Sequence, residues 1–410
     1  MRRTLRTVGI STIAGALGFG ALLAAPAVNA APNTIVIWVN QDRIANYREV
    51  FPTNSYAGYT IQLVGKESGK IRSDLATVTT DSAPDVIVGA HDWTGELAAN
   101  GSIIKLNVPS ATVKALAPTA LNGFRYGAGI YGIPTQVENL AMITNKNLVP
   151  KAPKTFQELS TMALALKKAG KVEIPFAVQQ SAGGDAYHMY PFETGLGGYV
   201  FGQNASGSVN VKDVGINSPR FQKNSYMIDE WNKSGLINSK IDSGIAQKAF
   251  TDGKAPFWVT GPWNSELISK LPFKVSITSV PPMVKGIKPL PFLGAQGGMV
   301  TKFAVDHGVQ TGANALVTQF MASPEYQLPL AAADGRTPAN KVAAAKVTNP
   351  YLKAFAAAGY GATPMPNVPQ MASVWGALGG AWVNSTKGAS AIPAAKSFAQ
   401  AQATVVKAIG

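Results

Sequence analysis

Three short β-branched runs within the first ninety residues, separated by polar or helix-periodic segments, constrain this chain more than any other feature. Residues 34–39 (TIVIWV), 60–64 (TIQLV) and 85–88 (DVIV) read as strands. Between the last two, residues 70–79 place Ile71, Leu75 and Val78 on one helical face, and a further helix starts from Asp92. Strand, helix, strand, helix, strand predicts a parallel sheet with helices packed on it. Ligands on such sheets sit beyond the carboxyl ends of the strands, in the loops that lead into helices. Those loops are 40–43 (NQDR) and 89–93 (GAHDW), so polar and aromatic groups collect where a site would be.

At 410 residues the chain exceeds what one compact core organises, and two lobes are expected. Residues 129–134 read as a hairpin feeding an extended segment, 135–145 (TQVENLAMITN), the form of a strand crossing between lobes. Thr155 followed by Glu158 predicts a capping box that opens a helix. Periodic apolar residues predict helices over 221–234 and 245–252, and 255–263 (APFWVTGPW) reads as a buried strand ending in a turn. From Gly312 onward the chain is helical and alanine-rich, interrupted at 335–338 and 364–369.

Composition removes whole classes of function. Arg2, Arg3 and Arg6 precede an apolar run over 8–23 and small residues at 27–30, so residues 1–30 read as a secretory signal peptide cleaved near Ala30. The run is broken by glycines and shorter than the roughly 20 residues a membrane span needs. Without those residues, 33 basic and 22 acidic side chains leave a charge of +11. The protein is expected to be exported, soluble, and periplasmic or extracellular. The absence of cysteine excludes disulfides, thiol nucleophiles, cysteine-held metals and a lipid anchor on this chain. His91, His188 and His307 are too scattered to pair on a metal. Residues 65–70 (GKESGK) lack the spacing and the hydroxyl of a phosphate loop, and no dinucleotide fingerprint follows the first strand. Neither a cofactor nor a metal is expected. The basic residues are dispersed and form no stripe, which argues against nucleic acid.

The carboxylates remain. Asp42, Asp92 and Glu138 follow predicted strands or lie in extended segments. Two carboxylates about 5–10 Å apart hydrolyse glycosidic bonds, and the same groups accept hydrogen bonds from sugar hydroxyls; spacing alone leaves both open. Residues 35–43 (IVIWVNQDR), 84–92 (PDVIVGAHD), 132–140 (GIPTQVENL), 212–215 (KDVG), 260–263 (TGPW) and 365–375 (MPNVPQMASVW) occur in one order. Together they resemble the maltose- and maltodextrin-binding proteins, the extracellular solute receptors of ATP-driven sugar importers. The resemblance implies a two-lobed α/β fold of the type II periplasmic-binding-protein kind, with three crossing segments forming a hinge. It places the lobes at 31–136 plus 279–335 and at 137–278 plus 336–410, with a di- or oligosaccharide in the cleft between them. By the family's pattern Asp42, Asp92 and Glu138 accept hydrogen bonds from glucosyl hydroxyls, Arg43 donates them, and Trp263 and Trp375 lie against the ring faces. It further implies a monomer without chemistry of its own, which closes on its ligand and presents it to the membrane permease subunits of an ABC importer whose ATPase is a separate chain.

Departures from that pattern bear on the ligand. The family commonly has an aromatic where Gly89 stands and an arginine where Trp93 stands. A glycine-bearing loop over 180–190 replaces a shorter motif, with Asp185 and Tyr187 as candidate equivalents. Ser265 occupies a position where tryptophan is usual, and Gly376 and Gly379 stand where tyrosine and arginine are usual. The ligand is therefore read as an α-glucoside or malto-oligosaccharide of open linkage and length. Trp38, Trp231 and Trp258 read as core, and His91 as a support of its loop. Two alternatives remain: a secreted glycoside hydrolase using two of the carboxylates, and a receptor for an anionic ligand suggested by the basic balance.

Overall fold

The computed structural model describes residues 33–410 apart from Ser68 and Ser206; the expected signal peptide lies outside the described residues. The three β-branched runs form β1 (Thr34–Asn40), β2 (Tyr59–Lys66) and β3 (Val86–Ala90). β1 pairs in parallel with β2 on one side and with β3 on the other. The chain thus changes its direction of travel across the sheet at β1, and the loops leaving β1 and β3 diverge around a crevice. Trp38, flanked by fully buried Ile37 and Val39, is 2% exposed and belongs to the core. The helix Ile71–Leu75 buries Ile71 and Leu75 but stops short of Val78.

Beyond these three strands the sheet is mostly antiparallel. β4 (Ile133–Asn139) runs out of the sheet and, after Leu140 alone, continues as β5 (Ala141–Asn145) in a second sheet. There β5 is the central strand, antiparallel to β6 (Phe257–Thr260) and to β7 (Val275–Thr278). The chain then returns as β8 (Phe292–Val300), which inserts between β3 and β4 antiparallel to both. Because β8 arrives from the far lobe, it enters the first sheet from the opposite end, and that makes the sheet mixed.

Hydrophobic packing divides accordingly. One core cluster is drawn from residues 35–133 and 295–339. A second is drawn from 140–292 and 365–405, and a smaller third packs around β5–β7 and includes Phe355 and Ala358. The chain changes core three times, after β4, within β8 between Phe292 and Ala295, and between Ala339 and Phe355. Four helices matter below: α1 (Ala186–Leu196), α2 (Pro324–Asp334), α3 (Pro350–Ala358) and α4 (Ala372–Thr386). The expected cap is half made: the Thr155 hydroxyl accepts from the Glu158 N–H at 3.2 Å, whereas the Glu158 carboxylate takes the Lys154 N–H at 2.7 Å. The helix expected over 221–234 is two, Pro219–Asn224 and Tyr226–Ser234, parted at buried Ser225. Among the described residues no helix is long and apolar enough to cross a membrane.

Candidate functional site

The cleft is built from strand ends. β1 runs into the tight turn Gln41–Arg43, β3 into His91–Trp93 and β6 into Pro262–Asn264. Two of these turns fold an indole back over a glycine. A Cβ on Gly89 would lie 2.0 Å from the Trp93 ring, and a Cβ on Gly261 would lie 2.0 Å from the Trp263 ring. Only glycine lets the rings lie flat there, so the aromatic missing at 89 is replaced by the one at 93. Ser265 is likewise matched to its neighbour, since a Cβ on Gly335, itself left-handed at φ +69°, would meet the Ser265 hydroxyl at 2.6 Å.

Between the two sheets lies a cavity of about 990 Å³. Asp42, Arg43, Asp92 and Trp93 line it from the first lobe, and Tyr187, Trp263 and Trp375 from the second. Its floor is the crossing region, with Glu138 of β4, Gln296 of β8, and Asp334 and Arg336 at the end of α2. Ion pairs hold this floor. Asp334 accepts from Arg43 through both carboxylate oxygens, from Asn46 at 2.9 Å and from Arg336 at 2.8 Å. Arg336 also donates from Nε to Glu138, whose other oxygen accepts from Gln296 at 3.0 Å. Arg43 reaches Gln136 at 2.6 Å. The Arg336 guanidinium lies 5.2 Å from the centroid of the Trp263 ring, a cation–π contact that fixes the indole.

Burial is the largest influence on Glu138 and Asp334 and opposes their ionisation, yet Arg336 together with Arg43 and the hydrogen bonds from Gln296 and Asn46 outweighs it and holds both carboxyls below their usual range. The same partners raise the Arg336 pKa against the effect of its own burial. Asp92 differs. Burial pushes its carboxyl up, and His91 and the Trp375 N–H oppose that only in part. Its Oδ2 accepts from Trp375 Nε1 at 3.1 Å, a hydrogen bond from the second lobe to the first.

His91 supports its loop. The Ala295 N–H donates to Nδ1 at 3.0 Å, so Nε2 carries the proton and donates to the Met365 carbonyl at 3.0 Å; burial lowers its pKa and keeps it neutral. Asp42 is exposed at the rim. Asp185 stands apart from the main cavity. Its carboxylate caps α1 by accepting from the His188 N–H at 2.8 Å, and it also takes Gln179 at 2.7 Å and pairs with His188 Nδ1 at 2.8 Å. Sequence reasoning missed Asp334, Arg336, Gln136 and Gln296. The charged pair astride Gly335 was the available signal, since a mere helix stop needs no buried charges on both sides of its glycine.

Two α/β lobes joined by three crossings, with a polar and aromatic cleft between them, define a two-lobed binding protein. Residues 47–359 match the family of bacterial extracellular solute-binding proteins, and the chain belongs to that family; it is a binding protein and not an enzyme. Its curated relatives include the maltodextrin-binding protein MdxE of Bacillus subtilis, 28% identical over 72% of this chain and 70% of the relative. A galactooligosaccharide-binding protein of the same organism is 25% identical over 83% and 82%. The maltotriose-binding protein of Pyrococcus abyssi is 25% identical over 85% and 76%.

Proposed function

We propose that this protein is the substrate-binding receptor of an ATP-driven carbohydrate importer, taking an α-glucoside or malto-oligosaccharide into the cleft. One observation carries the reading: buried carboxylates and two guanidinium groups share a single cavity with four aromatic side chains. A pyranose needs both, because hydroxyls ring its edge and C–H groups cover its faces. Asp42, Asp92 and Glu138 are the proposed acceptors, Arg43 the proposed donor, and Trp263, Trp375, Trp93 and Tyr187 the proposed plates. Asp185 is proposed to act on this site only by orienting α1 and with it Tyr187. The relatives named for maltodextrin, maltotriose and galactooligosaccharide support the sugar class and leave the linkage to experiment. An anionic ligand fits less well, since both cleft arginines are already neutralised by Asp334 and Glu138.

The protein is proposed to be exported, to act as a monomer, and to deliver its sugar to a permease by hinge closure. The lobe boundaries are proposed to fall near 139, between 292 and 295, and between 339 and 355, where the hydrophobic cores change hands. Calorimetric titration of the chain lacking residues 1–30 with maltose, maltodextrins and galacto-oligosaccharides tests the assignment. Binding of at least one of them is expected, and no heat from any at millimolar concentration would sink it. Within that assay Trp263→Ala is expected to weaken binding by about 1–3 kcal/mol, as loss of a desolvated aromatic contact does.

A further inference from the structure

At the starts of β1 and β3, the end of the first sheet opposite the cleft, a histidine closes on a buried aspartate. His307 directly follows the short helix Phe303–Asp306, which comes just after β8. Both of its ring nitrogens are engaged: Nδ1 stands 2.8 Å from Asp85 Oδ1, and Nε2 stands 2.9 Å from the Thr80 carbonyl oxygen. Asp85 is wholly buried and immediately precedes β3. Its Oδ2 accepts from the Val36 N–H at 2.7 Å, its own N–H donates to the Val36 carbonyl at 2.8 Å, and its carbonyl accepts from the Thr301 N–H at 2.9 Å. One aspartate thus joins the starts of β1 and β3 to the end of β8, and through His307 it also holds the tight turn Thr80–Ser82.

The geometry fixes the number of protons. A carbonyl oxygen only accepts, so Nε2 carries a proton. A second proton must lie between Nδ1 and Oδ1, because without it two lone pairs would face each other at 2.8 Å beside a buried anion. The hydrogen bond from Val36 favours the carboxylate form of Asp85, which makes His307 an imidazolium. His307 is the only cation paired with Asp85 among the described residues. The other charged groups nearby are acidic, Asp306 in its own helix and Asp81, exposed beside Thr80 in the facing turn, while Lys302 lies over the Phe303 ring. Burial lowers the His307 pKa, yet the hydrogen bonds to Asp85 and Thr80 and the charges of Asp85 and Asp306 outweigh it, and the net shift is upward. Burial also pushes the Asp85 carboxyl up, against the bonds from Val36 and His307.

We propose that His307 and Asp85 form a proton-operated lock at the base of the first lobe, which pins the 80–82 turn and the helix after β8 to the sheet near neutral pH and releases them when the shared proton leaves in alkaline solution. The sign follows from linkage. A group whose pKa is raised by folding stabilises the fold below its unfolded value, near 6.5 for histidine, and that contribution is lost as pH rises through the folded value. The lock involves no cleft residue, so it stands whether or not the cleft takes a sugar.

Two measurements on the chain lacking residues 1–30 test it. In the first, imidazole NMR follows His307, assigned through its own backbone, in wild type and in Asp85→Asn. The wild-type ring is expected to titrate above 6.5 and the Asp85→Asn ring at a lower pH than wild type. In the second, urea midpoints are compared at pH 6 and pH 9 for wild type and for His307→Gln, whose amide still donates to Asp85 but cannot titrate. The wild-type midpoint is expected to fall by more than that of His307→Gln, every other titrating group being common to the two proteins. A wild-type titration at or below 6.5, or a fall in midpoint no larger than that of His307→Gln, would overturn the lock. Should His307→Gln or Asp85→Asn fail to fold, the wild-type titration decides by itself.

Discussion

Glu193 shows at the scale of one residue how far burial reshapes a side chain. It lies in α1, is fully buried, and neither carboxyl oxygen has a hydrogen-bond partner among the described residues. Burial pushes its carboxyl well above the usual range. The folded protein therefore keeps a proton that the unfolded chain releases near pH 4.3, and the linkage has a definite sign: stability falls as pH rises above that value, by about 1.4 kcal/mol per unit until the folded group ionises. Glu193→Gln removes the titration without changing the shape. Its melting temperature is expected to exceed that of wild type by more at pH 8 than at pH 5, and equal differences at the two pH values would show that Glu193 is not held protonated. Nothing in the local sequence, MYPFETGL, marks this glutamate as buried. Asp42, Arg43 and Asp92 were legible for the opposite reason, since each sits directly after a strand run whose pattern is unmistakable.

At the scale of elements, the crossing segments do more than join lobes. β4 carries Glu138 and Gln136, β8 carries Gln296, and the end of α2 carries Asp334 and Arg336. The three crossings are thereby tied through their side chains, with Arg336 at the centre of the tie. Replacing it by methionine leaves buried Glu138 without its ion-pair partner and Asp334 with Arg43 alone, and breaking a buried pair in this way destabilises proteins by about 3–5 kcal/mol. Arg336→Met is expected to lower the urea midpoint by a corresponding amount, and a double variant Arg336→Met with Glu138→Gln to recover part of it. A midpoint unchanged from wild type would mean that the tie contributes nothing to folding. The interruption at 335–338 was evident in sequence as a helix stop. Its role in the site was not, because Arg43 and Asp334 are 291 residues apart and meet only when α2 packs beside the first strand's turn.

For the whole molecule, the cleft exists because two cores face each other across three connections. Trp375 of α4 donating to Asp92 is one inter-lobe bond, and Asn367 reaching the carbonyls of Gly123 and Arg125 at 2.9 and 2.7 Å supplies others. Closure by the hinge is expected to reduce the radius of gyration when a bound sugar is present at saturation. Small-angle scattering measures this directly, and an unchanged radius at a concentration where calorimetry reports full occupancy would rule closure out. The strand runs, the aromatic turns after β3 and β6, the extended crossing at 135–145 and the core tryptophans were fixed by local pattern, because period-2 burial and glycine–aromatic spacing act over a few residues. The antiparallel insertion of β8, the pairing of Arg43 with Asp334 and of Arg336 with Glu138, the withdrawal of Asp185 into a helix cap and the meeting of His307 with Asp85 were decided by tertiary structure alone. Each depends on which distant segments come within a few ångströms of one another, and sequence periodicity carries no record of that.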